Sequence, residues 1–153
     1  MLRKLTIGLA TVAALTASSF ALAQKADFGT SAEAKAMLDK AVAAVKADKA
    51  KAFEMFNKGE GGFKDRDLYP FCATAADGTM TAHPSPAIRA MKMGDIKDKA
   101  GFALGTEMLK VAAEGKVAEV AYKWPRPGTE NPVDKVSYVT KVADQVCGVG
   151  YYK

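Results

Sequence analysis

Apolar residues recur with a helical period over residues 31–57. Leu38, Val42, Val45, Phe53 and Phe56 fall mostly on one face, with Lys and Asp on the other. The stretch is rich in Ala, Lys, Glu and Met, which are good helix formers. Thr30 and Glu33 match a capping box ahead of it, and Lys58-Gly59 supplies a stop. The pattern predicts one amphipathic helix of about seven turns. Past the flexible GEGG of residues 59–62, the period shortens. Residues 68–75 read as a strand with Pro70 near its start, Ala76-Asp77-Gly78 as a turn, and residues 79–83 as a second strand, a hairpin ended by Pro84 and Pro86. Residues 87–97 show no clear period. A second helix is predicted over residues 99–114, with Phe102, Leu104, Met108, Leu109 and Val111 as its apolar set and Gly115 just past its end. Strands follow at 117–124, 135–142 and 146–152, separated by the loop PRPGTENP at 125–132 and a turn at 143–145.

Short turns join the first two strands and the last three, which argues antiparallel pairing. A helix, two strands, a helical crossover and three strands make an α+β design. The expected fold is a PAS-like five-stranded antiparallel sheet with a long N-terminal helix packed on one face.

Residues 1–23, MLRKLTIGLATVAALTASSFALA, depart from the rest. Arg3 and Lys4 precede a short apolar stretch, and Ala21-Leu22-Ala23 is a small-x-small cleavage site, the order of a secretory signal peptide. A membrane anchor is the competing reading, but Thr6, Gly8, Thr11 and Thr16 interrupt the stretch, and a spanning helix needs roughly 20 mainly apolar residues. Cleavage is expected after Ala23, leaving residues 24–153 as a single domain without a membrane span, in the periplasm of a bacterium. The 153 residues are 49% hydrophobic and 25% charged, an ordinary globular mix. A net charge of +5, spread along the chain, marks no nucleic-acid footprint. Two cysteines and one histidine disfavour a zinc cluster or an iron–sulfur site, and no CxxCH is present to attach haem. No cofactor is expected.

Four stretches, LYPFCATAADGTMTAHPSP, KDKAGFALGTEML, YKWPRPGTENPVDKVSYV and the terminal CGVGYY, resemble the single Cache domain, specifically its second type. The similarity runs through most of residues 31–153. It is carried by the order DG-x(4)-HP, YxWPxPG and KVSY rather than by any one motif. The resemblance implies a PAS-like sheet with a long N-terminal helix and a small-ligand pocket on the opposite sheet face, often for short organic acids or amino acids. In receptors of the family, the domain sits between two membrane helices and drives a kinase or chemotaxis module. Here the chain is expected to stand alone, capturing a solute, with a membrane sensor kinase or chemoreceptor as the expected partner.

His83 beside Pro84 reads either as a structural hydrogen-bonder at a strand end or, by the resemblance, as a pocket residue. Tyr122 and Trp124 share a strand face with Val120, as sheet core or as the aromatic wall of a pocket. Lys135 and Tyr138 are an odd number apart, so a regular strand places them on opposite faces, unless the strand is bulged or Lys135 reaches from its start. The KVSY motif implies a pocket role for both. Arg89 and Arg126 are further anion-binding candidates, or exposed surface charges. Asp77-Gly78 is a hairpin turn, and the seven Met read as core filler.

The expected function is binding of a small carboxylate. Tyr122 and Trp124 would wall the pocket, and Lys135, Tyr138 and His83 would anchor its polar end. A buried Lys favours an anion, and no acidic residue is expected at a pocket-facing position. The alternative is an interaction protein that touches a sensor kinase, a receptor or itself through the sheet or long helix, with no ligand. Catalysis is not expected, because no nucleophile motif, metal cluster or phosphate loop is present. In a PAS-like sheet, the strands carrying Cys72 and Cys147 are central neighbours. Two cysteines in an exported protein therefore suggest a disulfide, with two buried thiols as the alternative.

Overall fold

Thr30 opens the first helix through a complete capping box: its side chain accepts from the Glu33 N–H, while Glu33 accepts from the Thr30 N–H at 2.8 Å. These positions come from a computed structural model, which describes residues 27–153. The signal-peptide expectation for residues 1–23 lies outside that span.

The single helix expected over residues 31–57 is two. α1 (Ser31–Ala47) ends at Asp48, which is extended at φ −157° and ψ 96°. The Asp48 carboxylate then accepts from the Lys51 N–H at 3.0 Å and caps α2 (Lys49–Lys58). A short acceptor side chain offers the backbone an alternative partner, so it suits a cap better than a helix interior. The break lets α1 cover the centre of the sheet and α2 reach its far edge. α2 stops at Gly59 in the left-handed region, φ 71°.

Five strands form one sheet: β1 (Pro70–Thr74), β2 (Met80–Ala82), β3 (Ala118–Pro125), β4 (Pro132–Val142) and β5 (Gln145–Tyr152). Their order is β2-β1-β5-β4-β3, every pair antiparallel. The fold is the α+β, PAS-like sheet with α1 and α2 on one face. β4 begins three residues earlier than its pattern predicts, because residues 132–134 extend the pairing with β3.

The crossover differs from expectation. Residues 86–97 hold a short helix, α3 (Pro86–Arg89), and a 3-10 turn at Met93–Asp95. The helix expected over 99–114 is only α4 (Leu104–Val111). Asp98 Oδ1 takes the N–H groups of Ala100 and Phe102, each at 2.9 Å, and holds residues 98–102 in a turn. Phe102 is left 42% exposed instead of in the core.

The sheet separates two apolar layers. One packs Leu38, Ala41, Val45 and Phe56 of the helices on Cys72, Cys147 and Val149. The other packs Phe71, Val120, Val139 and Val146 under Met93, Leu104 and Met108 of the crossover. Cys72 and Cys147 are register partners on β1 and β5, with Cα atoms 4.1 Å apart, and are joined by a disulfide in the helix-side layer.

Candidate ligand-binding site

A strand presents every second side chain to one face. On the face away from α1 and α2, β4 therefore offers Lys135, Ser137 and Val139, and β3 offers Val120, Tyr122 and Trp124. Register pairs Tyr122 with Lys135 and Lys135 with Tyr152. β5 contributes Gly148 and Gly150 to the same face. A methyl at Gly150 would overlap Cε of Lys135 and lie 2.6 Å from the Ser137 hydroxyl, so the glycine makes room for the lysine stem.

Lys135 is thereby laid flat in the interior, 2% exposed. Its Nζ donates to the hydroxyls of Tyr69, at 3.1 Å, and Tyr152, at 3.2 Å. It also stands over both rings, 4.6 and 4.4 Å from their centres. Burial pulls the amine down to about 7, with the negative charge of Asp67 opposing that shift. Burial likewise raises the phenol of Tyr69 to about 12 and lifts those of Tyr122 and Tyr152 further. The Tyr152 hydroxyl donates to the Pro125 carbonyl at 2.7 Å, tying the amine's surroundings to the 125–132 loop. Tyr122 and Ser137 share a hydrogen bond of 2.7 Å.

The amine borders a cavity of about 40 Å³ lined by Tyr69, His83, Tyr122 and Trp124, with Met93, Leu104 and Met108 closing it from the crossover. Where a water needs about 10–15 Å³ on such a measure, the cavity suits a molecule of a few non-hydrogen atoms. His83 Nδ1 accepts from the Ser85 N–H at 2.9 Å, so the neutral ring carries its proton on Nε2. Burial, with the nearby Lys135 charge, holds the imidazole down to about 4 and therefore neutral at physiological pH.

An outer cleft of about 250 Å³ shares Tyr69, His83, Ile88 and Trp124 with this cavity and adds Arg126. The Arg126 guanidinium donates to Asp67 Oδ2 at 3.0 Å and lies over the rings of Phe28, at 3.9 Å, and Tyr152, at 4.8 Å. Asp67, 5% exposed, also accepts from the Gly29 N–H at 2.7 Å.

Of the residues singled out in the sequence, Tyr122, Trp124, Lys135 and His83 meet at the cavity. Tyr138 does not. β4 runs without a bulge here, so the odd spacing from Lys135 sends Tyr138 to the helix side. There it bonds Ser31 Oγ at 2.7 Å and stacks on Tyr151. Arg89 is also off the cavity wall; its guanidinium is occupied by the carbonyls of His83, at 2.5 Å, and Pro84. Arg126 borders the outer cleft, but as half of an ion pair and not as an exposed cation. An acidic residue does flank the site: Asp67, from the turn ahead of β1. Tyr69, Asp67, Ser137 and Tyr152 were not singled out. The even spacing of Gly148, Gly150 and Tyr152 was the available sign for Tyr152; Asp67 lies in a turn with no period to place it.

The model of the family described as Single Cache domain 2 matches residues 11–152. The chain belongs to this family. Its matched span begins inside the stretch read as a leader. Over 76 residues, the domain is 36% identical to the methyl-accepting chemotaxis protein McpP of Pseudomonas putida, covering 48% of this chain but 14% of that protein. A crystal structure of a methyl-accepting chemotaxis protein from Vibrio parahaemolyticus shares the fold, with TM-score 0.64 and 23% identity over 79% of this chain and 86% of that one. A structure described as the basis for carboxylic acid recognition by a Cache chemosensory domain aligns with TM-score 0.57 and 25% identity over 77% and 84%. A periplasmic sensor domain of a chemotaxis protein aligns with TM-score 0.56 and 22% identity over 77% and 86%. Among the described residues, no helix of this Cache domain is long and apolar enough to cross a membrane, and no cluster of His, Cys, Asp or Glu could hold a metal.

Proposed function

We propose that this Cache domain binds a small carboxylate in the periplasm and reports it to a membrane sensor kinase or chemoreceptor. One observation carries the reading: a lysine amine, almost wholly buried beside a small apolar cavity, whose hydrogen-bond partners are two phenol hydroxyls and no carboxylate. An ionised amine in such a place is costly without a counter-charge, and a ligand carboxylate supplies one. The His83 Nε2–H and the Tyr69 hydroxyl are further donors on the same wall. Trp124, Tyr122 and the crossover methionines receive the short apolar remainder. The solved Cache domain described as recognising carboxylic acids supports the ligand class, and the chemotaxis relative supports a sensing role. Export through the leader of residues 1–23, with cleavage after Ala23 and residues 24–153 as the mature domain, belongs to the same reading. Mass spectrometry of the mature N-terminus tests it, and an intact Met1 in the exported protein overturns it.

The ligand test is a melting-temperature and calorimetric screen of acetate, propionate, pyruvate and lactate against amines and sugars of similar size. The acids should raise the melting temperature and alter the emission of Trp124, the sole tryptophan. A neutral or cationic ligand that binds tightly while these acids do nothing would overturn the assignment.

A further inference from the structure

The charges in and beside the cavity, with Lys135 and Asp67 buried and Arg126 partly covered at the outer cleft, fall in an arrangement that bears on which acids enter. Lys135 and Arg126 contribute two cations, and Asp67 one carboxylate. They are packed as one group. Arg126 contacts Asp67 directly, the Arg126 guanidinium and the Lys135 amine both lie against the ring of Tyr152, and Asp67 is felt electrostatically by Lys135, Tyr69 and Tyr152. With the lysine protonated, the group carries one uncompensated positive charge. In a poorly solvated site, any ligand charge that leaves a remainder is penalised. One carboxylate cancels the charge; two leave an excess negative charge in the protein.

Building on the carboxylate reading above, we propose that Asp67 is a specificity-determining residue that restricts the site to monoanions, by neutralising Arg126 and leaving Lys135 as the cation on the cavity wall for the ligand to balance. Asp67 need not touch the ligand. It acts on the charge of the site, not on its shape, so acids of equal shape and different charge should be sorted by it.

Malonate and its monoamide, malonamate, form such a pair. At neutral pH, the full-length protein should bind malonamate about tenfold or more tightly than malonate. Asp67→Asn keeps an acceptor for the Gly29 N–H but removes the charge, and should shift that ratio toward malonate by about tenfold or more. An unchanged ratio overturns the proposal. Acetate gives a second test that does not depend on the larger acids fitting. Arg126→Gln cancels the excess positive charge and should weaken acetate by about tenfold, while Arg126→Lys should stay within about threefold of wild type. Adding Asp67→Asn to Arg126→Gln restores one net positive charge and should recover acetate binding. If the double variant is no better than Arg126→Gln, or if Lys and Gln at position 126 behave alike, Asp67 and Arg126 do not act through charge. The Arg126 pair leaves Asp67 in place, so it decides the matter even if Asp67→Asn fails to fold. Binding of none of these acids to the wild type would instead remove the carboxylate reading on which the proposal rests.

Discussion

Lys135 combines two properties that set its cost and its use. The amine is desolvated, and in the folded protein it titrates at about 7 against an ordinary 10.5. Between those values, the unfolded chain holds a proton that the folded chain has released, so the stability of the ligand-free protein should rise with pH from about 7 and level off above about 10.5. Chemical denaturation at several pH values tests this, and stability falling across that window would contradict the assignment. Acid binding should run the opposite way. A carboxylate pairs with the charged amine, so affinity should decline above about pH 7, by up to about tenfold per unit. Replacing the amine with an apolar side chain of similar length separates the two effects. Lys135→Met should raise the melting temperature of the ligand-free protein and abolish the shift produced by acids, because an apolar side chain is better suited to such a site than an unpaired cation. A fall in melting temperature would mean that the bonds to Tyr69 and Tyr152 outweigh the cost of burial. Lys135 was legible as a candidate only through the KVSY motif, because as a residue at the start of a strand it reads equally well as a solvated edge charge. Tyr138 was overextended from the KVSY motif: a motif names residue types, while strand register decides the face, and here the odd spacing decided correctly.

At the scale of elements, the two helices and β5 play separable parts. α2 depends on the Asp48 cap and packs on the sheet face opposite the cavity. Asp48→Ala should cost about 1 kcal/mol in urea denaturation and leave acid affinity unchanged. Gly150→Ala should have the reverse balance. Its methyl would occupy the place of the Lys135 stem, so the acid-induced shift should disappear even at temperatures where circular dichroism shows an intact fold. Retained acid binding in Gly150→Ala would show that Lys135 can reach the cavity by another path. The strands and their antiparallel order were legible because period-two alternation and short turns act locally. The split at Asp48 was overlooked because helix propensity and apolar period run straight through residues 31–57, and the deciding interaction is one side-chain cap. α4 was overextended for a related reason: the seven-residue spacing of Phe102 and Leu109 fits a helix, but Asp98 captures the local N–H groups in a turn. The aromatic wall was legible from the Tyr122–Trp124 alternation. Tyr69 and Asp67 reach the site only through the way β1 enters the sheet, which no local pattern encodes.

For the molecule as a whole, the disulfide fixes the middle of the sheet. Cys72 and Cys147 are separated by 75 residues, and the enclosed chain includes β2, the crossover, β3 and all of β4. Closing a loop of that length stabilises by roughly 4 kcal/mol in the chain-entropy model, because the unfolded chain loses more freedom than the folded one. Both residues are fully buried in the helix-side layer, so a reductant should act only when the sheet opens. The native protein should resist mild reductant. A variant carrying Cys72→Ala and Cys147→Ala should melt about 10 °C or more below wild type. The cavity lies on the opposite face and takes its walls from Tyr69, Tyr122, Trp124 and Lys135, none of which is among the residues of the disulfide layer. Acid affinity of that variant, measured well below its melting temperature, should therefore stay within about threefold of wild type. A large loss of affinity at full helicity would instead show that the β1–β5 pairing positions Tyr69 and Tyr152 around the Lys135 amine, making the disulfide part of the site's geometry as well as of the chain's stability.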